Sequence, residues 1–342
     1  MKISVIIPVY NSELYLDDLF LSLANQKLQD FEIIAIDDVS KDHSLSILEK
    51  WQKQFLNKMK IVHNSINLGA GISRNIGLKM AQGEYVSFID SDDFIHPNMF
   101  YDMYYGALKN NKPEVLSTGI ILVNASQNYS PYFGSLRRDG ILFSPQINPS
   151  KVLSLSPSCG NKLFKRDFIA QEFLPNVMWE DIPFSYSHLF LANQVLDFHN
   201  PDYYYRKHIN SGISAQGLTV NLHLLDIFQV MDYFGTFLQE KGIYEKLQKD
   251  IITVQVIYSL YRIREVLDWN IPTFLKKQLV ADLYHIIKLK YTDIKKIDQD
   301  SLNMKVDFYT IDQVLQAQNS TLSLDETQTR IKNTLQLLKN GH

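Results

Sequence analysis

The sequence predicts an α/β protein with a mainly parallel sheet flanked by helices in its N-terminal part and a helical C-terminal region. Three observations predict it. Apolar strand runs alternate with helix-period segments from Ile3 to Ile89. Each strand run ends in a polar or acidic cluster, at the edge where open α/β sheets bind ligands. Beyond about Leu218 the apolar residues recur only at helical spacing.

The elements follow in order. Ile3 to Val9 is a buried-strand run that stops near Pro8, and Ser12 and Glu13 open a helix carrying Leu16, Leu19, Phe20 and Leu23. Phe31 to Ile36 forms a second strand ending at Asp37-Asp38. A helix over 44–55 and a strand over 60–63 come next. Gly71 to Met80 reads as a helix capped by Gly83, Tyr85 to Ile89 as a fourth strand, and a further helix begins near Pro97. Leu225, Phe228, Met231, Phe234 and Leu238 start the helical region, followed by Leu247, Ile251, Val254, Tyr258 and Tyr261 and by helices over 272–290 and 325–339. The expected division is a domain over 1–215 and a helical region over 216–342, with Gly212 and Gly217 at the seam.

Composition excludes several classes. Hydrophobic residues make up 45% and charged residues 21% of 342, the balance of a folded chain. A formal charge of −3 offers no basic excess, so nucleic acid is not an expected partner. The single cysteine, Cys159, supports neither a disulfide framework nor a cysteine zinc site. It reads as a small half-buried filler and fits a reducing cytoplasm. The longest charge-free stretch, 115–136, is apolar only to Val123, too short to span a bilayer. Peripheral association with the inner face of the cell membrane stays open, and the apolar tail offers a surface for a homo-oligomer.

The densest chemical signal is Asp90-Ser91-Asp92-Asp93 at the end of the fourth strand. Carboxylates so close repel one another unless a cation intervenes. Mg²⁺ or Mn²⁺ takes oxygen ligands, typically one or two carboxylates plus substrate phosphates, and would neutralise a leaving diphosphate. The same residues also suit the N-terminus of the helix after Pro97.

Company decides between the readings. Pro8-Val9-Tyr10-Asn11 follows the first strand, Asp37-Asp38-Val39-Ser40 the second, and Asn67-Leu68-Gly69 through Arg74-Asn75-Ile76-Gly77 the third. In this order, with Asp90-Ser91-Asp92-Asp93, the chain resembles a family 2 glycosyltransferase of GT-A fold over residues 3 to 215. The resemblance implies a UDP-sugar donor. Pro8, Val9 and Tyr10 would wall the base and ribose, with Asn11, Asn67 and Ser91 in the same nucleotide-sugar-binding set. Asp38 would accept the uracil imide N–H, Arg74 would brace it, Asp90 would touch the ribose and Asp92 would ligate the metal. One departure stands out. Val39 occupies a position where the family usually has glycine, so a left-handed turn there would be strained and a different loop shape is expected.

Two later segments complete the set. Asn161-Lys162-Leu163-Phe164 precedes Trp179-Glu180-Asp181, which resembles the family's Glu-Asp motif and makes Asp181 the expected general base of an inverting transfer. Tyr203 to Ser214 resembles the family's segment that closes over the diphosphate, with Arg206, Asn210 and Ser211 as phosphate contacts; His208 could complete a metal shell, but a lone histidine is more often structural. A dinucleotide oxidoreductase is a poor fit, because Arg74 stands where the third fingerprint glycine is needed. A sugar nucleotidyltransferase would want a glycine-rich loop after the first strand, and a non-catalytic sugar-nucleotide-binding subunit would have shed Asp92 or Asp181. The acceptor, a glycan, a lipid-linked sugar or a glycoprotein, is expected to meet variable loops such as 124–150.

Overall fold

The computed structural model describes residues 1–124, 129–133, 140–207, 221–291 and 321–340. The chain divides into two compact units, 1–207 and 208–342. The expected seam at 215 lies outside the described residues.

The first unit is built on four parallel strands, β1 (Ile3–Val9), β2 (Phe31–Asp37), β3 (Met59–His63) and β4 (Tyr85–Phe88). Every residue of β1 and β2 is buried, as expected of parallel strands covered on both faces. Ile3 pairs with both Phe31 and Tyr85, and Val9 reaches Asp37, so the strands end together and their polar tails share one edge. The helices between them are α1 (Leu16–Ala24), α2 (Ser44–Phe55) and α3 (Gly69–Met80). Leu16, Leu19, Phe20 and Leu23 are the buried stripe of α1.

Two helix ends differ from expectation. α1 begins at Leu16, not at Ser12. Ser12 instead donates its N–H to Ser44 Oγ at 2.8 Å, and Glu13 accepts the His43 N–H at 2.8 Å, which ties the entrances of α1 and α2 together. Gly83 does not cap α3. That helix ends at Met80 with Ala81 extended, and Gly83 lies on β1 with its N–H on Ser4 Oγ at 2.8 Å.

Further along come β5 (Phe94–Ile95), α4 (Met99–Lys109), β6 (Val115–Val123), β7 (Tyr129–Phe133), β8 (Gly140–Phe143), the short α5 (Ser150–Leu153), β9 (Lys162–Lys165), α6 (Asp181–Leu191) and β10 (Val195–Arg206). The strands join in the order β3-β2-β1-β4-β9-β6-β10-β5, with β7 on β6 and β8 on β10. The complete sheet is therefore mixed. It is parallel through β3-β2-β1-β4 and between β6 and β10, while β9 runs antiparallel to both β4 and β6. The apolar stretch at 115–123 is β6, a central strand buried along most of its length.

The second unit is helical over its described residues, with α7 (Asp226–Glu240), α8 (Tyr244–Asp268), α9 (Thr273–Lys290) and α10 (Leu324–Asn340). Its core gathers Phe228, Met231, Phe234, Ile263, Trp269 and Leu283. Arg330 binds the buried carboxylate of Asp282 through two nitrogens, tying α10 to α9. Among the described residues no helix is long and apolar enough to cross a membrane.

Candidate active site

The residues singled out by sequence divide into those at the common strand edge and those buried beneath it. Pro8 and Val9 are buried within β1, whereas Tyr10 is 46% exposed beyond it. Asn11 takes a left-handed backbone, which asparagine tolerates, and its Oδ1 accepts the Lys41 N–H at 2.7 Å. Of the four residues expected to contact the donor here, the last two are the ones presented at the surface.

Asp38 is buried, and its carboxylate is occupied. Oδ1 accepts Asn64 Nδ2 at 2.7 Å and the Leu68 N–H at 2.9 Å, and Oδ2 accepts the Gly69 N–H at 2.7 Å. An anionic group against the first N–H groups of α3 is the arrangement that a helix N-terminus favours. Asn67 is exposed and donates to the Asp38 carbonyl at 3.1 Å. Asp38 thus anchors the 64–69 loop, with three donors already on the carboxylate that was expected to accept the uracil imide. Val39 has φ 65°, so the loop keeps a left-handed turn despite its β-branched residue, contrary to the different shape expected.

Arg74 is the hub of the site. It is buried on α3, donates to Asp90 Oδ1 at 2.7 Å and to Glu180 Oε1 at 2.5 Å, and stacks 5.3 Å above the Phe173 ring. Burial opposes its charge, but Cys159 and the carboxylates of Asp90, Glu180 and Asp181 hold its guanidinium well above the usual arginine range. Asn75, the next residue, clamps the facing backbone by accepting the Phe173 N–H and donating to the Phe173 carbonyl, both at 2.9 Å. Phe173 in turn stacks flat on Phe184 of α6 at 3.9 Å. The Arg-Asn pair therefore fixes segment 173–180 over the sheet edge.

That segment ends in Trp179, whose φ of 63° is unusual for an aromatic residue, and then in Glu180 and Asp181. Such strain persists where surrounding contacts enforce it, here the Arg74–Glu180 pair immediately beyond. Burial and the neighbouring Glu180 push the half-buried Asp181 carboxyl up to about 7, against the opposing pull of Arg74. Cys159 is buried, not half-buried as expected. It lies within electrostatic reach of Arg74, and burial holds its thiol well above the usual range.

Asp90-Ser91-Asp92-Asp93 separates into distinct roles. Asp90 is paired with Arg74, and Ser91 Oγ meets Ser12 Oγ at 2.6 Å. Asp93 is wholly buried, where it accepts the Tyr203 hydroxyl at 2.5 Å and the Arg206 N–H at 2.8 Å. Burial, together with Asp92 and Asp90, pushes its carboxyl well above the usual range. Asp92 is half-buried at the edge. Among the described residues no group of three or more His, Cys, Asp or Glu is disposed to hold a metal ion. A divalent cation at Asp92 would draw its remaining ligands from substrate phosphates and water, an arrangement Mg²⁺ accepts.

Arg206 faces elsewhere than expected. Its guanidinium donates to Asp18 Oδ2 at 2.9 Å and lies 5.2 Å from both the Tyr15 and Phe94 ring centres. It is therefore held by α1 and β5 while its backbone N–H stays on Asp93, so gripping a diphosphate would require the guanidinium to leave Asp18. His208, Asn210 and Ser211 lie outside the described residues. Sequence reasoning named Tyr203 and Asn75 only as members of their motifs, without a role, and missed Asn64 and Phe173 as parts of the site. Asn75 had a local signal in its place beside Arg74, whereas the other three act through contacts distant in sequence.

Residues 4–171 match the family described as Glycosyl transferase family 2. The chain is 33% identical over 211 residues to a poly(ribitol-phosphate) beta-glucosyltransferase of Bacillus spizizenii, covering 60% of this chain but 32% of that one. It is 30% identical to the putative glycosyltransferase EpsH of Bacillus subtilis, with 75% of each chain covered. It is also 30% identical to a cholesterol galactosyltransferase of Borreliella burgdorferi, with 83% of each covered. The crystal structure of S. aureus TarS 1-349 in complex with UDP superposes with a TM-score of 0.64 at 19% identity, covering 100% of this chain and 92% of that one. The fold is thus shared with TarS, and the match over most of EpsH settles the lineage: this chain belongs to the family 2 glycosyltransferases.

Proposed function

We propose that the protein is an inverting glycosyltransferase that moves a hexose or N-acetylhexosamine from a UDP-sugar to an acceptor hydroxyl. The observation that carries this reading is Asp181, a carboxyl poised near neutrality beside the Arg74–Glu180–Asp90 network at the C-terminal edge of the sheet. A general base works best with a pKa near the working pH. Asp181 takes the acceptor proton as the hydroxyl oxygen attacks the anomeric carbon, and the bond from that carbon to the diphosphate breaks with inversion. Tyr10 and Asn11 face the donor from the first loop, and Asp90 reaches the ribose. A divalent cation, Mn²⁺ or Mg²⁺, held at Asp92 supplies positive charge for the leaving diphosphate.

The donor class is supported by TarS, whose crystal structures include complexes with UDP and with UDP-GlcNAc. The relatives carry names that span a polyol phosphate and a sterol, so we assign the acceptor only as a hydroxyl. We place the enzyme in the cytoplasm, which suits its single buried thiol. The test is release of UDP from a panel of UDP-hexoses and UDP-N-acetylhexosamines with added Mn²⁺, beside thermal unfolding with UDP. Turnover of at least one donor and a rise in melting temperature with UDP are expected. Full turnover in excess chelator would remove the cation from the reading. Failure of every donor to turn over or to stabilise the fold would overturn it.

A further inference from the structure

Across Asp93 from the Arg74 cluster lies a cavity of about 660 Å³ that the proposed transfer does not use. Its size is that of a ligand pocket, within the usual range of roughly 300–1,000 Å³. Side chains alternate along β10, so Tyr203 turns inward to Asp93 while Tyr204 and Arg206 turn to the cavity. Its wall is a continuous stack. The Arg206 guanidinium lies over Phe94, and Phe94 lies flat on Tyr204 at 4.7 Å with 6° between the planes. Tyr129 then stands edge-on to Tyr204 at 6.0 Å and is 59% exposed. Asp18 and His96 add polar groups to the lining. Arg206 Nε is buried and has no hydrogen-bond acceptor within the described protein.

We propose that this cavity is a binding subsite for an uncharged sugar unit of a glycan chain. A sugar ring offers C–H faces to aromatic rings and hydroxyls to charged or amide groups, and this wall combines both kinds of partner. Arg206 lines the cavity with its side chain 19% exposed, so its guanidinium can donate to a sugar hydroxyl as well as to Asp18. Asp18 neutralises the guanidinium at 2.9 Å, which argues against a phosphate as the occupant. A carboxylate and a guanidinium in the wall argue equally against a wholly apolar one. The Arg206 N–H is bonded to Asp93, so the cavity wall is joined directly to the 90–93 loop. The assignment rests on the glycosyl transfer proposed above, which gives a glycan reason to lie beside that loop.

Saturation-transfer NMR on the full chain with cellotetraose and chitotetraose tests it, beside calorimetric titration with UDP. At least one tetrasaccharide receives saturation, and Tyr129→Ala and Asp18→Asn each weaken its binding about tenfold while UDP affinity stays within a factor of two. Tyr129 is exposed, so its truncation spares the fold, and thermal unfolding of each variant checks this. Absence of saturation on both tetrasaccharides, or an unchanged signal in Tyr129→Ala, overturns the proposal. Preferential binding of a ribitol phosphate oligomer at this wall overturns the uncharged assignment. Loss of UDP binding in the unaltered chain would instead strike the transfer reading, leaving the glycan signal to judge the cavity.

Discussion

At the scale of single residues, chemistry and conformation each make a claim that measurement can check. Asp181 must be ionised to accept a proton, and its carboxyl is pushed up to about 7. Turnover should therefore rise as pH increases through about 7 and level off above it, a limb that a carboxylate of ordinary pKa would place near pH 4. Asp181→Asn should lower turnover by about a hundredfold or more and abolish that limb, with UDP affinity retained. Loss of UDP binding with turnover intact would make Asp181 a structural residue. Val39 tests conformation. Its left-handed backbone costs an L-residue about 1–2 kcal/mol, while glycine in its place would add unfolded-state entropy worth about 0.5–1 kcal/mol. Val39→Gly should stabilise the protein by about 0.5–1 kcal/mol in urea unfolding, and a destabilised variant would show that the valine side chain compensates by packing. The grouping of Arg74, Asp90 and Asp181 is legible from residue type and company, although Arg74 pairs with Asp90 and Glu180 where bracing of Asp38 was expected. The commitments of Asp38 to a loop, of Asp93 to the interior and of Arg206 to Asp18 are not, because each depends on a partner far away in sequence.

At the scale of elements, legibility followed the strength of the local period. The strands and helices up to Phe88 appear within about two residues of their expected bounds, apart from the start of α1, because apolar runs and helical stripes alternate there without interruption. The four long helices of the second unit were legible for the same reason. The strands β5 to β10 were not. Most of them are short, and antiparallel pairing such as β9 between β4 and β6 leaves no periodic mark in the local sequence. Helix-to-sheet fit can be probed at Gly77 on α3. A Cβ there would stand 2.4 Å from Ile6 Cγ2 and 3.0 Å from Ile36 Cδ1, so the helix backbone rests directly on β1 and β2. Gly77→Ala should force α3 outward and destabilise the protein by about 1–3 kcal/mol, the usual cost of overpacking. Arg74 rides on the same helix, so the Asp181 pH limb should shift as well. A variant of unchanged stability and pH profile would mean that the sheet yields without disturbing the site.

At the scale of the molecule, every described candidate residue from Asn11 to Arg206 belongs to the first unit. Its parts come from distant stretches of chain. Tyr203 bonds Asp93, and its ring lies where a Cβ on Gly160 would stand 2.6 Å away; Asn161 beside that glycine accepts the Thr118 N–H on its carbonyl and donates its side-chain amide to the Thr118 carbonyl. The Asp93 carboxylate thus joins the 90–93 loop to the end of β10, and Tyr203 packs against the Gly160 turn that Asn161 ties to β6. Contacts so interlocked open together or not at all. In heavy water the Arg206 N–H bound to Asp93, the Asp93 N–H on the Asp90 carbonyl and the Thr118 N–H on the Asn161 carbonyl should trade hydrogen for deuterium at one shared, slow rate. The exposed Asn11 N–H on Ser40 Oγ, at the strand edge, should label far sooner. Asp93→Ala should speed exchange at all three slow amides, because it removes the acceptor of both the Tyr203 hydroxyl and the Arg206 N–H and so loosens the end of β10 against the 90–93 loop and the Gly160 turn.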